Sequence, residues 1–173
     1  VALFWRLTDG ASSGDNPRHH NRARDGGGDV MSRYFVTRAD DQGFAFLNRY
    51  VPVYWSPCTF SIVNCIDDEI VAAVVLQDSN GVNAFIHVAA DTRRRWLTRD
   101  YIYKTFRFAF DELGLNRLTG LVESDNELAI HFDEKLGFRK EAVLTGAGHR
   151  GQDAFIYAMH RHECRWLTEL RRG

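Results

Sequence analysis

The sequence predicts one α/β domain of the mixed α+β kind, with a mostly antiparallel twisted sheet of six to seven strands flanked by helices. Two observations carry that expectation. Between Thr59 and Ala90, three apolar, β-branched runs are separated by Asp67-Asp68 and by Ser79-Asn80-Gly81, which reads as a meander. From Asp91 to Phe138 the pattern changes to arginine-rich loop, helix, short buried strand, helix. At 173 residues with 45% hydrophobic content, the chain has enough apolar side chain for one core.

Taken in order, Arg33–Thr37 reads as the first strand. Asp40 and Asp41 are placed to cap a helix whose apolar face is Phe44, Leu47 and Val51. Pro52 and Pro57 enclose a loop with Tyr54 and Trp55. Thr59–Ile66, Glu69–Gln77 and Val82–Ala90 are the meander strands. Ile102, Phe106, Ala109, Phe110 and Leu113 recur at helical spacing, and Gly114 stops that helix. Arg117–Val122 is a short strand. Ser124 and Glu127 match a capping box for a helix lined by Leu128, Ala129, Phe132 and Leu136 and ended by Gly137. Arg139–Leu144 and Asp153–His160 are the last strands, with Gly146, Gly148 and Gly151 in the loop between them. Glu163–Arg171 reads as a short closing helix.

Residues 1 to 30 lack apolar periodicity and are expected to be disordered, as an extension upstream of an alternative start at Met31. Residues 31 to 173 form the predicted domain. His19 and His20, with Arg18, Arg22 and Arg24, read as part of a solvated tail. A formal net charge of -1 supplies no global field for nucleic acid or membrane, although Arg93, Arg94, Arg95 and Arg99 cluster. No run is long and apolar enough to span a bilayer. Cys58, Cys65 and Cys164 match no metal-ligand spacing, and their odd number suits reduced thiols in a cytoplasm. His131, His149, His160 and His162 share no metal-binding spacing, and Glu112, Glu123 and Glu127 read as solvated or capping groups.

Three segments carry a family resemblance. Glu112-Leu-Gly-Leu-Asn-Arg117, Asp125-Asn126 and Glu134-Lys-Leu-Gly-Phe-Arg139 resemble the GNAT superfamily of acetyl-CoA-dependent N-acetyltransferases, closest to the branch that acetylates protein N-termini and similar amines. The likeness is clear over about residues 84 to 144 and looser over 33 to 167. The segment Glu163–Leu167 and the arginine-rich loop also resemble GNAT-like proteins of tailed phages and prophages.

The resemblance implies a GNAT-like fold, acetyl-CoA as cosubstrate, and direct attack by a primary amine acceptor within a ternary complex. It also assigns positions. The family's pyrophosphate loop, R/Q-x-x-G-x-G/A, falls on Arg93, Arg94, Arg95, Trp96, Leu97 and Thr98, so Trp96 and Thr98 stand where small residues belong. Glycine there lets the backbone approach phosphate, and a Trp side chain is expected to block it. Two readings follow: a modified pyrophosphate site held by arginines, or a solvated arginine turn on a fold that binds no CoA. The resemblance puts His87 and Val88 on the strand that meets the pantetheine arm. His87 is then a candidate general base, or else a satisfied, half-buried strand histidine. Asn126 is a candidate cofactor contact or a helix cap. Asp133 stands where the family's acid is a tyrosine, and it serves as a donor only if burial raises its pKa; otherwise it is a solvent-facing carboxylate. Ser124 is a further candidate acid already occupied by its capping role. Tyr54, Trp55 and Trp96 are candidates for an acceptor cleft. The alternative to an enzyme is a GNAT-fold binding or structural protein in a phage setting. Oligomeric assembly is left open, with Trp166 and Leu167 as apolar candidates for a partner contact.

Overall fold

In a computed structural model of the chain, the described residues are 32–51 and 53–169. The predicted N-terminal extension lies outside them, as does the end of the predicted closing helix. The chain runs β1 (Arg33–Thr37), α1 (Asp40–Leu47), β2 (Phe60–Ile66), β3 (Glu69–Gln77), β4 (Asn83–Ala90), α2 (Arg99–Arg107), β5 (Arg117–Glu123), α3 (Glu127–Leu136), β6 (Arg139–Leu144), β7 (Ala154–His160) and α4 (Trp166–Glu169). The strands form one seven-stranded sheet in the order β1-β2-β3-β4-β5-β7-β6. Every neighbouring pair is antiparallel except β4 and β5, which are parallel because α2 crosses over between them.

Each face of the sheet has its own core. Alternation along the central strands sends Val63, Val75 and Ala89 against Phe46, Leu47 and Val51 of the α1 segment. The other set, including Ile62, Val74, Ile86, Val88, Leu118 and Val122, packs with Tyr101 and Phe106 of α2 and Ala129 of α3. Trp166 and Leu167 pack on this second core too, and the Trp166 indole donates to Leu136 O at 2.8 Å.

Several local expectations change in the structure. α1 is capped by Ala39, because the Asp40 carboxylate is taken by the Ser61 amide at 2.7 Å, tying the helix start to β2. Its inner face is therefore Gly43, Phe46 and Leu47, while Phe44 stands half-buried, edge-on to Trp55. α2 continues as a π-helical turn over Phe108–Glu112, closed by Leu113 N to Phe108 O at 2.9 Å. Phe106 and Phe108 would point to opposite sides of a regular α-helix, yet both are buried, with Phe110 stacked on Phe106 at 6.0 Å. Each contributes roughly 1.5–3 kcal/mol by burial, more than enough to offset a poorer turn. The predicted closing helix divides into a 3-10 turn at Arg161–Glu163 and the short α4. Leu128 is 59% exposed, so the inner face of α3 is Ala129 and Asp133, with Phe132 and Leu136 half-buried beside them. Gly137 ends α3 at φ 106°, a left-handed cap that a side chain would strain.

Candidate active site

The sheet opens between its two parallel strands. β4 and β5 pair only over Asn83↔Arg117, Ala84↔Leu118 and Phe85↔Thr119. Beyond that point β4 keeps only β3 as its ladder partner, and β5 keeps only β7. The ladder between the two strands thus stops before Ile86–Ala90 and Gly120–Glu123, leaving a split in the sheet whose two edges are strand backbone. An extended ligand with amide groups finds a strand-like edge there.

The C-terminal end of β4 leads into the arginine loop. Trp96, expected to block this loop, is turned inward. It is 7% exposed, with its ring 6.1 Å from Phe132 and 6.4 Å from Tyr101, so it joins α2 to α3 inside the core. Its carbonyl accepts from Asn64 Nδ2 at 2.6 Å, which fastens the loop to β2. The outer side of the loop is basic. Arg33, Arg93, Arg94, Arg95 and Thr98 line a hollow of about 440 Å³ together with Ile66. Arg93 is bound bidentately by Asp91, whose carboxyl it holds below the usual range, and Arg94 leans on Asp67 and Glu69. Arg95 and Arg99 are exposed and enter no salt bridge among the described residues. Leu97 is 38% exposed, and the Thr98 hydroxyl caps α2 by accepting from Tyr101 N at 3.2 Å. The N-cap of α2, Thr98, therefore borders a basic hollow, with the indole out of the way. The residues present fit a pyrophosphate.

At the second helix, Ser124 does not cap. Its amide donates to Asp153 O at 2.9 Å, and α3 begins three residues later at Glu127, capped by Asn126 Oδ1 accepting from Ala129 N at 3.1 Å. Asp153 O takes the Ser124 amide that a capping box would offer to Glu127, and Asn126 supplies the side-chain cap instead. Asn126 keeps the capping role anticipated for it.

Asp133 is not a solvent-facing carboxylate. It is 1% exposed on the inner face of α3, and its Oδ2 has no hydrogen-bond partner among the described residues. Burial, and then the charge of Glu134, pushes its pKa up to about 8. A group so placed is a neutral acid at pH 7 and can donate a proton. Tyr157 stands near it, with its hydroxyl on Glu134 at 2.9 Å and its own pKa raised by burial.

His87 sits on β4 just past the split, opposite Val75, and is completely buried. Val88 is 5% exposed on the other face, among the core residues under α2. Tyr54 and Trp55 are exposed, and the backbone of Tyr54 is bonded by the buried Gln77 side chain at the level of Phe85.

Glu123, read from sequence as solvated or capping, is 8% exposed at the end of β5. One of its oxygens accepts from both His149 Nδ1 at 2.6 Å and His149 N at 2.8 Å. No local pattern announces this pair, because its partners lie 26 residues apart. The nearest signal is the glycine-rich β6–β7 loop, which folds back on β5.

Comparison with known proteins completes the description. The profile of the acetyltransferase (GNAT) family matches residues 31–138. No curated protein matches the sequence. Among solved structures, mutant forms of the spermidine/spermine N-acetyltransferase SpeG from Vibrio cholerae superpose with a TM-score of 0.64 at 16% identity, covering 82% of this chain and 99% of that one. A dodecameric structure of spermidine N-acetyltransferase from the same organism gives 0.63 at 17% identity, over 80% of this chain and 96% of that one. At these identities the likeness shows the fold.

Proposed function

The chain belongs to the acetyltransferase (GNAT) family, and we propose that it moves an acetyl group from acetyl-CoA to a primary amine by direct attack. The observations that carry the proposal are the β4–β5 split and the buried, neutral Asp133 on the inner face of α3. Acetyl-CoA, when bound, supplies a thioester whose sulfur can leave. In the proposal, Arg95, Arg99 and the amides that open α2 hold the pyrophosphate, with Arg93 and Arg94 as the flanking charge. The edge of β4 freed from β5 around His87 and Val88 aligns the pantetheine amides. Asn126 holds the start of α3 and, through it, the position of Asp133. Asp133 gives a proton to the departing sulfur. A carboxyl with a pKa of about 8 is well matched to that task at neutral pH. Ser124, the further candidate acid, lies at the end of β5 and is assigned no step.

The acceptor is a small-molecule amine or a protein N-terminus. The solved neighbours named for spermidine favour the former, and the resemblance to the N-terminal-acetylating branch favours the latter. The dodecameric neighbour supports assembly as an oligomer. Among the described residues no helix is long and apolar enough to cross a membrane. A non-catalytic binding role, phage-associated or otherwise, is the second reading: Thr98 in place of a small residue favours it, and the inward-turned Trp96 does not.

The test is amine-dependent release of free CoA thiol from acetyl-CoA, with spermidine and short N-terminal peptides as acceptors and mass spectrometry of the product. Acetylated amine with stoichiometric thiol is expected. A folded protein that releases thiol with none of these amines would refute the proposed transfer to these acceptor classes.

A further inference from the structure

We propose that His149, held by Glu123, is the acceptor-side base: it takes the proton from an ammonium arriving over the outer face of β5. This role rests on the acetyl-transfer reading above. An acceptor amine is cationic near neutral pH and must lose a proton before its lone pair can attack. His87 is fully buried, so an ammonium coming from solvent does not meet it. The His149 side chain is 71% exposed, whereas that of Glu123 is 10% exposed.

The position is set by the sheet. Phe85 and Thr119 are paired across the split, so alternation puts His87 and Glu123 on the same face, each beyond the point where the strands part. Glu123 thus ends β5 on the face that His87 shares, opposite the one that packs against α2 and α3. A carboxylate only accepts, so the 2.6 Å contact puts a proton on His149 Nδ1 and leaves Nε2 as the basic nitrogen of the neutral ring. A base oriented by a buried carboxylate through its other nitrogen is the arrangement that activates nucleophiles on unrelated folds.

The supporting loop is preorganised. Gly148 N donates to Gln152 O at 2.7 Å, Gly151 N to Gly148 O at 2.9 Å, and Gly146 N to the Asp153 carboxylate at 2.9 Å. Arg150 pairs with Asp125, and Gln152 reaches Asp125 and the Arg150 amide. Glu123 is the carboxylate directed at His149.

The step balances. His149 takes the ammonium proton, and Glu123 stabilises the resulting imidazolium. The amine nitrogen forms its bond to the acetyl carbon as the carbon–sulfur bond breaks, and Asp133 gives the sulfur its proton. His149 passes its first proton to water and takes the second from the newly acylated nitrogen, leaving the neutral amide, and Asp133 is reprotonated from water, so that one proton in all is released. Glu123 is a positioning residue in this scheme.

Two measurements separate this role from a loop tie. Imidazole nitrogen NMR of the wild-type protein is expected to show neutral His149 protonated on Nδ1, and Glu123→Ala to move it toward the Nε2-protonated tautomer. A His149 tautomer unchanged by E123A overturns the orienting role. In acetyl transfer to spermidine, His149→Gln is expected to lower kcat about 100-fold, leave the KM for acetyl-CoA unchanged, and remove the fall in rate toward acid. An H149Q enzyme with wild-type kcat and pH profile overturns the proposal while leaving acetyl transfer intact. Wild-type protein that binds acetyl-CoA but acetylates no amine fails the acetyl-transfer reading itself, and this role with it.

Discussion

Replacing Asp133 with asparagine is expected to make the protein more stable at alkaline pH and less active throughout. The wild-type carboxyl titrates at about 8 in the folded protein, pushed up by burial first and the Glu134 charge second. In the unfolded chain it titrates near the ordinary ~3.9. The folded pKa lies above the unfolded one, so the protonated acid contributes its full stability below about pH 4, and that contribution is lost as pH rises through about 8. Each pH unit in that window costs about 1.4 kcal/mol. Between about pH 5 and about pH 8 the wild type therefore loses about 4 kcal/mol that the D133N variant does not. The asparagine amide brings its own penalty, about 1–3 kcal/mol, because the site offers Oδ2 no partner among the described residues. That penalty does not depend on pH and cancels when the two conditions are compared. Asp91 and Glu141, whose carboxyls are held low by Arg93 and Arg117, are common to both proteins and cancel too. Urea denaturation of both proteins at the two pH values measures the difference. Stability curves that run parallel across the window would show that Asp133 is not a buried neutral acid, and the proposed proton donor would fall with it.

Trp96→Gly is expected to destabilise by about 3–5 kcal/mol, because it empties the space between Tyr101 and Phe132, and to leave acetyl-CoA affinity no higher. Urea midpoints with parallel calorimetry check both halves, and tighter binding by the variant would reinstate the blocked loop. Gly43→Ala would place its Cβ 2.6 Å from Ser61 Cβ and closer still to Ser61 Oγ. That hydroxyl already donates to Ala39 O at 2.7 Å, so thermal unfolding is expected to show a loss of about 1–3 kcal/mol. Arg95→Glu with Arg99→Glu is expected to weaken acetyl-CoA at least about tenfold, more at low salt than at high, while leaving the unfolding midpoint nearly unchanged.

The sequence revealed the fold through features that act locally. Turn residues at Asp67-Asp68 and Ser79-Asn80-Gly81 and β-branched runs defined the meander, and the Leu136-Gly137-Phe138 stop defined the end of α3. The candidate site was less legible because its residues are defined by what lies across the fold. Asp133 looks like any helix carboxylate until α3 is laid on the sheet, and only then does burial turn it into an acid. The direction of Trp96 is illegible for the same reason: an indole in a loop has no direction until Phe132 and Tyr101 arrive beside it. Ser124 satisfied the capping pattern but was claimed by Asp153, a long-range bond no capping rule contains. Glu123 and His149 meet only through the return of the β6–β7 loop. The π-helical turn after α2 arises from three phenylalanines two apart, a pattern that regular helical periodicity passes over.

Calorimetric titration of acetyl-CoA into the purified protein, with desulfo-CoA and ADP as comparisons, tests the central claim most directly. The account predicts micromolar binding, roughly -8 kcal/mol, with ADP weaker because it lacks the pantetheine that the β4–β5 split would hold. No binding at millimolar ligand, by a protein whose circular dichroism shows it folded, would contradict it.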